Sequence, residues 1–329
     1  MSVKWLPLFI CLIFVQPVFA QDLLKLVVDG TPEQIRTAIA AGADVEQGDT
    51  EGRTPLMRAV APWYWVPMNE AYSRLMPSSQ VVSALIEAGA KIDDRDKDGM
   101  TPLMWAVWRS SSPAVVSLLL TAGAKTDDRS KAGFTPLVYA AAGNQNPDVV
   151  STLIRSGAKS DDRDALGETP LMFAAQYNNS PAMIFALTNA GASVDDRDRL
   201  GQTPLMLAAF RTKNPDIIFA LVKAGARVDD EDASETPLMM AAQYNENPDV
   251  ISALLKAGAA IDGRDVNGCT ALMLAAKNNQ NPDVISALLK AGANGKLKSD
   301  EGETAFDYAA TNDKVVGTKA YWELNNAKF

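Results

Sequence analysis

The apolar positions of the chain fall into two kinds of cluster that alternate and return at a fixed interval. One kind is a compact block, as in Leu171, Met172, Phe173, Ala174 and Ala175. The other is a stripe, as in Val149, Val150, Leu153 and Ile154, or Val250, Ile251, Leu254 and Leu255. The stripe has the spacing of one face of an amphipathic helix. Each full block follows a threonine, usually with proline next. Threonine is a good N-cap, and proline suits the first helical position, where its missing N–H has no intrahelical partner to lose. The pattern therefore predicts a short helix from Pro170 and a second helix opening at an Asn-Pro-Asp signal, as at Asn146-Pro147-Asp148 and Asn247-Pro248-Asp249. There asparagine caps and aspartate faces the positive end of the helix dipole. A glycine closes each second helix, at Gly89, Gly123, Gly157, Gly191, Gly225, Gly258 and Gly292, where a left-handed residue costs least. A polar stretch such as Asp161-Asp162-Arg163-Asp164 then leads to the next block and is long enough for a hairpin-like finger.

The block is itself a motif. It reads GRTPLM at Gly52, GMTPLM at Gly99, GFTPLV at Gly133, GETPLM at Gly167, GQTPLM at Gly201, SETPLM at Ser234, GCTALM at Gly268 and GETAFD at Gly302. From Thr54 to Thr101 is 47 residues, and the later steps, to Thr135, Thr169, Thr203, Thr236, Thr270 and Thr304, are 34, 34, 34, 33, 34 and 34. No unit of this size buries its apolar faces alone, so stability must come from stacking on neighbours. A turn, two antiparallel helices and a TPL signature at this period resemble the ankyrin repeat. The resemblance covers Gln21 to the C-terminus. It implies an all-helical repeat solenoid in which helix-turn-helix units and hairpin fingers stack in one curved array, with a concave groove that binds other proteins. Two departures stand out. Met57, Met104, Met172, Met206, Met239 and Met273 occupy the place of the family's histidine, which is expected to exchange a hydrogen bond for apolar packing, and Asn-Pro-Asp replaces the usual Gly-His turn.

Residues 1–20 stand apart from this pattern. Lys4 gives a short positive start, Trp5 to Val15 form an apolar core broken only by Pro7, and Val18-Phe19-Ala20 has the small-residue order that precedes a cleavage site. They read as a secretory signal peptide, too short in its apolar run for a span of about 20 residues. The organisation expected is then a signal peptide at 1–20, an N-terminal capping repeat at 21–51 whose second helix opens with a capping box at Thr31-Pro32-Glu33-Gln34, seven repeats at 52–301, and a polar C-terminal capping repeat at 302–329. The first full repeat carries an insertion at about 61–78, the source of the step of 47. The resemblance adds a location: exported proteins of this architecture are often bacterial and periplasmic, with the extracellular medium as the alternative.

Composition narrows the chemistry. The chain has 329 residues, 47% hydrophobic and 22% charged, with no histidine. Histidine-based nucleophilic sites, histidine-ligated metals and histidine pH switches are excluded, and no phosphate-binding glycine loop or metal-spaced cysteine set is present. No enzyme activity and no cofactor are expected. A net charge of -9 argues against nucleic acid or an anionic membrane as the main partner. After signal removal only Cys269 remains, so no internal disulfide can form, and a soluble monomer is expected. Paired aspartates recur in the fingers, at Asp93-Asp94, Asp127-Asp128, Asp161-Asp162, Asp195-Asp196 and Asp229-Asp230, with Arg95, Arg129, Arg163 and Arg197 beside them. Such rows could hold calcium, but the interleaved arginines point instead to a salt-bridge ladder.

Function should lie where the units differ. Positions that face the groove in the resembled family are occupied here by Met100, Phe134, Leu166, Leu200, Trp108, Arg109, Tyr177, Phe210, Arg211 and Tyr244. Aromatic residues and arginine carry much of the binding energy at protein interfaces. The insertion adds Trp63 and Trp65 among several other rings and prolines, either sealing the N-terminal repeats or forming one wall of a binding site, and the wall is the preferred reading. The sequence thus predicts an exported scaffold that binds a partner protein through its groove and this insertion. The alternatives are a secreted effector acting on a host protein and a calcium-stabilised solenoid.

Overall fold

Threonine opens a helix at each repeat of the motif, and the local geometry explains why. A computed structural model describes residues 22–61, 78–110, 112–230 and 235–328, which form two units dividing after Lys91. The first unit holds α1 (Leu23–Asp29), α2 (Pro32–Ala40), α3 (Pro55–Val60) and α4 (Ser79–Glu87). Leu23, Val27, Ile35, Leu56, Met57 and Leu85 form its core. Thr31 caps α2 by accepting from the Gln34 N–H at 3.3 Å, while the Gln34 side chain accepts from the Thr31 N–H at 2.7 Å, a reciprocal capping box. The insertion's Trp63 and Trp65 lie outside the described residues.

The second unit is two layers of helices. An inner layer comprises α5 (Pro102–Arg109), α7 (Pro136–Gly143), α9 (Pro170–Tyr177), α11 (Pro204–Arg211), α13 (Pro237–Tyr244), α15 (Ala271–Asn278) and α17 (Ala305–Ala309). An outer layer comprises α6 (Pro113–Thr121), α8 (Pro147–Arg155), α10 (Pro181–Asn189), α12 (Asp216–Lys223), α14 (Pro248–Lys256), α16 (Pro282–Lys290) and α18 (Lys319–Ala327). Within each layer every helix packs on the next. The alanine pairs of the inner helices, such as Ala174-Ala175 and Ala208-Ala209, are fully buried between them. Gly157, past the end of α8, has φ 97° as a helix-closing glycine should. Among the described residues there is no strand, only an isolated antiparallel bridge between Arg264 and Thr270.

The methionine of the motif does more than pack, which corrects the sequence expectation. The Thr101, Thr169, Thr203 and Thr270 N–H groups donate to the sulfurs of Met104, Met172, Met206 and Met273 at 3.3 to 3.4 Å. A thioether is a weak acceptor, so the methionine keeps the reciprocal cap in weakened form while filling the core.

The fingers are tied to one another. In the first finger of the second unit Asp96 Oδ1 accepts from the Asp98 and Met100 N–H groups, closing the turn, and the Lys131 N–H of the next finger donates to Asp98 O at 2.9 Å. Gly99 sits at this approach with φ 74°, and a Cβ there would lie 3.0 Å from Lys131 N. The paired aspartates form a salt-bridge ladder. Arg95, Arg129, Arg163 and Arg197 reach Asp128, Asp162, Asp196 and Asp230 of the next finger at 2.6 to 2.9 Å. The same arginines donate to carbonyls, Arg163 to Gly167 O at 2.7 Å and Arg197 O at 2.8 Å. One carboxylate of each of these pairs is therefore engaged by arginine. Among the described residues no cluster of acidic side chains has the arrangement of a metal site.

Candidate functional site

The inner helices present three columns of side chains on the side bordered by the fingers, and the large residues in them touch across units. The fourth residue after each threonine gives Trp105, Tyr139, Phe173, Leu207 and Met240. The end of each helix adds Trp108 and Arg109, Tyr177, Phe210 and Arg211, and Tyr244. The residue between glycine and threonine adds Phe134 and Glu168. Ring centroids are 5.6 Å apart for Trp105 and Trp108, 5.7 Å for Trp108 and Tyr139, and 5.8 Å for Tyr139 and Phe134. The series continues through Phe134 and Phe173 at 4.9 Å and Phe173 and Tyr177 at 6.2 Å. Arg211 bridges the gap, 5.5 Å from the Tyr177 ring and 5.2 Å from that of Phe210, and Phe210 meets Tyr244 at 5.2 Å. Neighbouring rings prefer tilted or edge contacts of this kind to face-on stacking.

At one end of the belt the rings are locked. Trp105 Nε1 donates to buried Asp96 Oδ2 at 2.9 Å, the carboxylate that also closes the finger turn. Tyr139 makes the equivalent bond to Ser130 Oγ at 3.0 Å, and burial raises the pKa of its hydroxyl. The Arg109 guanidinium lies 3.6 Å from the Trp108 ring centre. Gly143, at the end of α7, makes room for that indole, since a Cβ there would come within 2.4 Å of Trp108 Cδ1.

At the other end the surface opens. Leu166 and Leu200, at successive finger tips, are 62% and 75% exposed, and Tyr177 and Tyr244 are each 49% exposed. They line a cleft of about 610 Å³ with Phe210, Arg211 and Glu168. Burial pushes the Glu168 carboxyl above the usual range, nearby Asp164 and Asp198 add to this, and a hydrogen bond from Gln176 Nε2 at 2.6 Å and the charge of Arg211 oppose it. The Gln176 amide thus orients the Glu168 carboxylate within the cleft.

Of the residues expected on this face, Trp108, Arg109, Phe134, Leu166, Tyr177, Leu200, Phe210, Arg211 and Tyr244 are at least partly exposed. Met100 is the exception, only 4% exposed. Its backbone is held inside the finger turn, where the Met100 N–H donates to Asp96 Oδ1 at 2.9 Å and its carbonyl accepts from the Asp96 N–H at 3.1 Å. Cys269 is also buried, its thiol pKa raised by burial, with Sγ 3.8 Å from the Tyr308 hydroxyl. The sequence reading missed Tyr139 and Glu168 as part-exposed members of the face, and Trp105 and Phe173, 2% and 6% exposed, as the rings packed beneath it. A signal was present, because four residues after threonine the aromatic residues recur in three consecutive units.

The comparisons agree with this architecture. A family model for ankyrin repeats (3 copies) matches residues 71–164, 137–232, 209–299 and 238–318. The chain belongs to the ankyrin-repeat family. It is similar to the crystal structure of the human ASB11 ankyrin repeat domain, at 25% identity and a TM-score of 0.58, covering 73% of this chain and 98% of that one. No curated protein sequence matches the chain. Ankyrin-repeat domains are in general scaffolds for protein–protein interaction without catalytic activity.

Proposed function

We propose that this protein is an exported scaffold that binds a partner protein through the aromatic face of its inner helices, with the insertion of the first full repeat contributing to the site. The observation that carries the reading is the run of rings from Trp105 to Tyr244, bridged between Tyr177 and Phe210 by Arg211, which ends in a cleft where four large apolar side chains are about half exposed or more. Stacking between repeats does not require them there, and exposed apolar groups gathered on one face mark contact surfaces. Trp63 and Trp65 join the proposal on sequence grounds, because rings in a segment that no repeat needs have little reason to be there without a contact to make. Export, most simply to a bacterial periplasm, rests on the charged, apolar and small-residue order of residues 1–20.

Immobilised mature protein incubated with extract of its native compartment should retain a partner that Trp108→Ala, Tyr177→Ala or Phe210→Ala loses. At least one of the three should weaken binding by about 2 kcal/mol while helical content is unchanged. If all three capture the same proteins as the parent with equal strength, the face is not the binding site. For export, sequencing the mature N-terminus should read from Gln21. Finding Met1 still present on membrane-bound protein would overturn that part.

A further inference from the structure

We infer that the cleft between α9, α11 and α13 takes an extended peptide segment in which a carboxylate side chain neighbours a large apolar one. The inference rests on the proposed function and adds the chemistry of the partner. Its starting point is a contrast among arginines. Those of the finger ladder are each paired with an aspartate at 2.6 to 2.9 Å. Arg199 and Arg211, which both line the cleft, make no ion pair among the described residues. Arg199 is positioned by its backbone, whose N–H donates to Leu166 O at 2.9 Å. Arg211 rests against the Tyr177 and Phe210 rings. A guanidinium lying near aromatic faces keeps its N–H edge available for a carboxylate, which it can grip in bidentate fashion.

The acids of the same cleft have other work. Asp198 Oδ1 accepts from the Leu200 and Gln202 N–H groups and so shapes the finger tip. Glu168 accepts from Gln176 Nε2, and Glu235 also has a partner. Glu168 lies within electrostatic reach of Arg211 without forming an ion pair with it. What the cleft offers an incoming chain is therefore exposed leucine and tyrosine surface next to two guanidinium groups that form no ion pair, with the carboxylates of Glu168, Asp198 and Glu235 beside them. The two leucines sit at equivalent positions of successive fingers, so an extended segment crossing the fingers meets apolar surface from both units.

The test uses the full mature chain and fluorescein-labelled synthetic peptides of one length that alternate Glu with Leu, Gln with Leu, or Lys with Leu, read by fluorescence anisotropy. The Glu–Leu peptide should bind at least about fivefold more tightly than the Gln–Leu peptide, the gain of one charge-assisted hydrogen bond. The preference should shrink in high salt and vanish in Arg199→Gln/Arg211→Gln, with helical content unchanged. Equal or tighter binding of the Gln–Leu or Lys–Leu peptide, a preference that survives the double substitution, or no saturable binding of any peptide would each overturn the inference. Tyr177→Ala separates the two levels. If it abolishes binding of every peptide while the acidic preference is absent, the aromatic face stands and only the acidic partner falls.

Discussion

Asn144, Asn178, Asn245, Asn279 and Asn312 are buried at or just past the ends of α7, α9, α13, α15 and α17, and each donates through Nδ2 to two carbonyls of the preceding unit. For Asn178 these are Ala141 O at 2.8 Å and Asn144 O at 2.7 Å, and its Oδ1 accepts from the Ser180 N–H at 2.9 Å. One amide thus satisfies three backbone groups that would otherwise be buried without partners, which is why the position holds asparagine where the neighbouring positions vary. Where Thr212 interrupts the series, Asn245 donates to its carbonyl at 3.0 Å and the chain of bonds continues. Gly143 is the other residue whose identity is set by a neighbour. Alanine is normally favoured over glycine in a helix by about 0.5–1 kcal/mol. Here Gly143→Ala is expected to lower the thermal midpoint and change the tryptophan fluorescence, because its Cβ would collide with the Trp108 indole. In a Trp108→Ala background the same substitution should be neutral or stabilising, and a double-mutant cycle by thermal melting reads the difference.

The helices are short, five to nine residues, and none would persist alone. Many of their starts are capped, by threonine at α5, α11, α13, α15 and α17 and by asparagine at α8, α14 and α16, whereas the Thr135 and Thr169 hydroxyls at α7 and α9 are buried without a partner. The last inner helix, α17, departs from the pattern with Asp307 in the methionine's place. The Asp307 carboxyl is held down to about 2, first by the Lys328 ammonium at 2.8 Å and then by the Thr304 hydroxyl and N–H. A carboxyl whose folded pKa lies below its free value of 3.8 adds stability above that value, and this contribution is lost as pH falls through about 2. Asp307→Asn is therefore expected to cost about 1–2 kcal/mol at neutral pH, with the gap to the parent closing between pH 4 and 2 in denaturant titrations. A gap that stays constant across that range would show the carboxylate charge to be irrelevant.

At the scale of the whole molecule, units of nearly identical sequence carry unequal faces. The belt of rings occupies α5 to α13, whereas α15 offers Lys277 and Asn278 at the equivalent helix end, with Lys277 5.0 Å from the Tyr308 ring. Stability in such an array is a sum over units and their interfaces, so a face can vary from unit to unit as long as the stacking residues do not. The insertion in the first full repeat follows the same logic. Replacing Trp63 to Met76 with a short Gly-Ser linker should abolish partner capture while leaving the thermal midpoint nearly unchanged. A large fall in the midpoint with capture retained would assign the segment to sealing the fold instead.

The sequence alone determined the period, the two helices of each unit, their caps and the helix-closing glycines, because these depend on contacts within a few residues or on the same contact made many times. Nine of the ten groove residues it pointed to within the described chain do reach the surface, since their position in the repeat fixes the side they face. Only the tertiary structure decided how much of each is available. Met100 is buried and Phe134 is part-exposed at the same position of successive units, so exposure depends on what neighbouring units place alongside, and a periodic pattern carries no such information. The asparagine ladder and the unpaired Arg199 and Arg211 were hidden for the same reason, since they depend on which groups the stacked units bring together, in the ladder about 34 residues apart. The sulfur caps join residues only three apart, and they went unread because a thioether is a weak acceptor whose place apolar packing already explained.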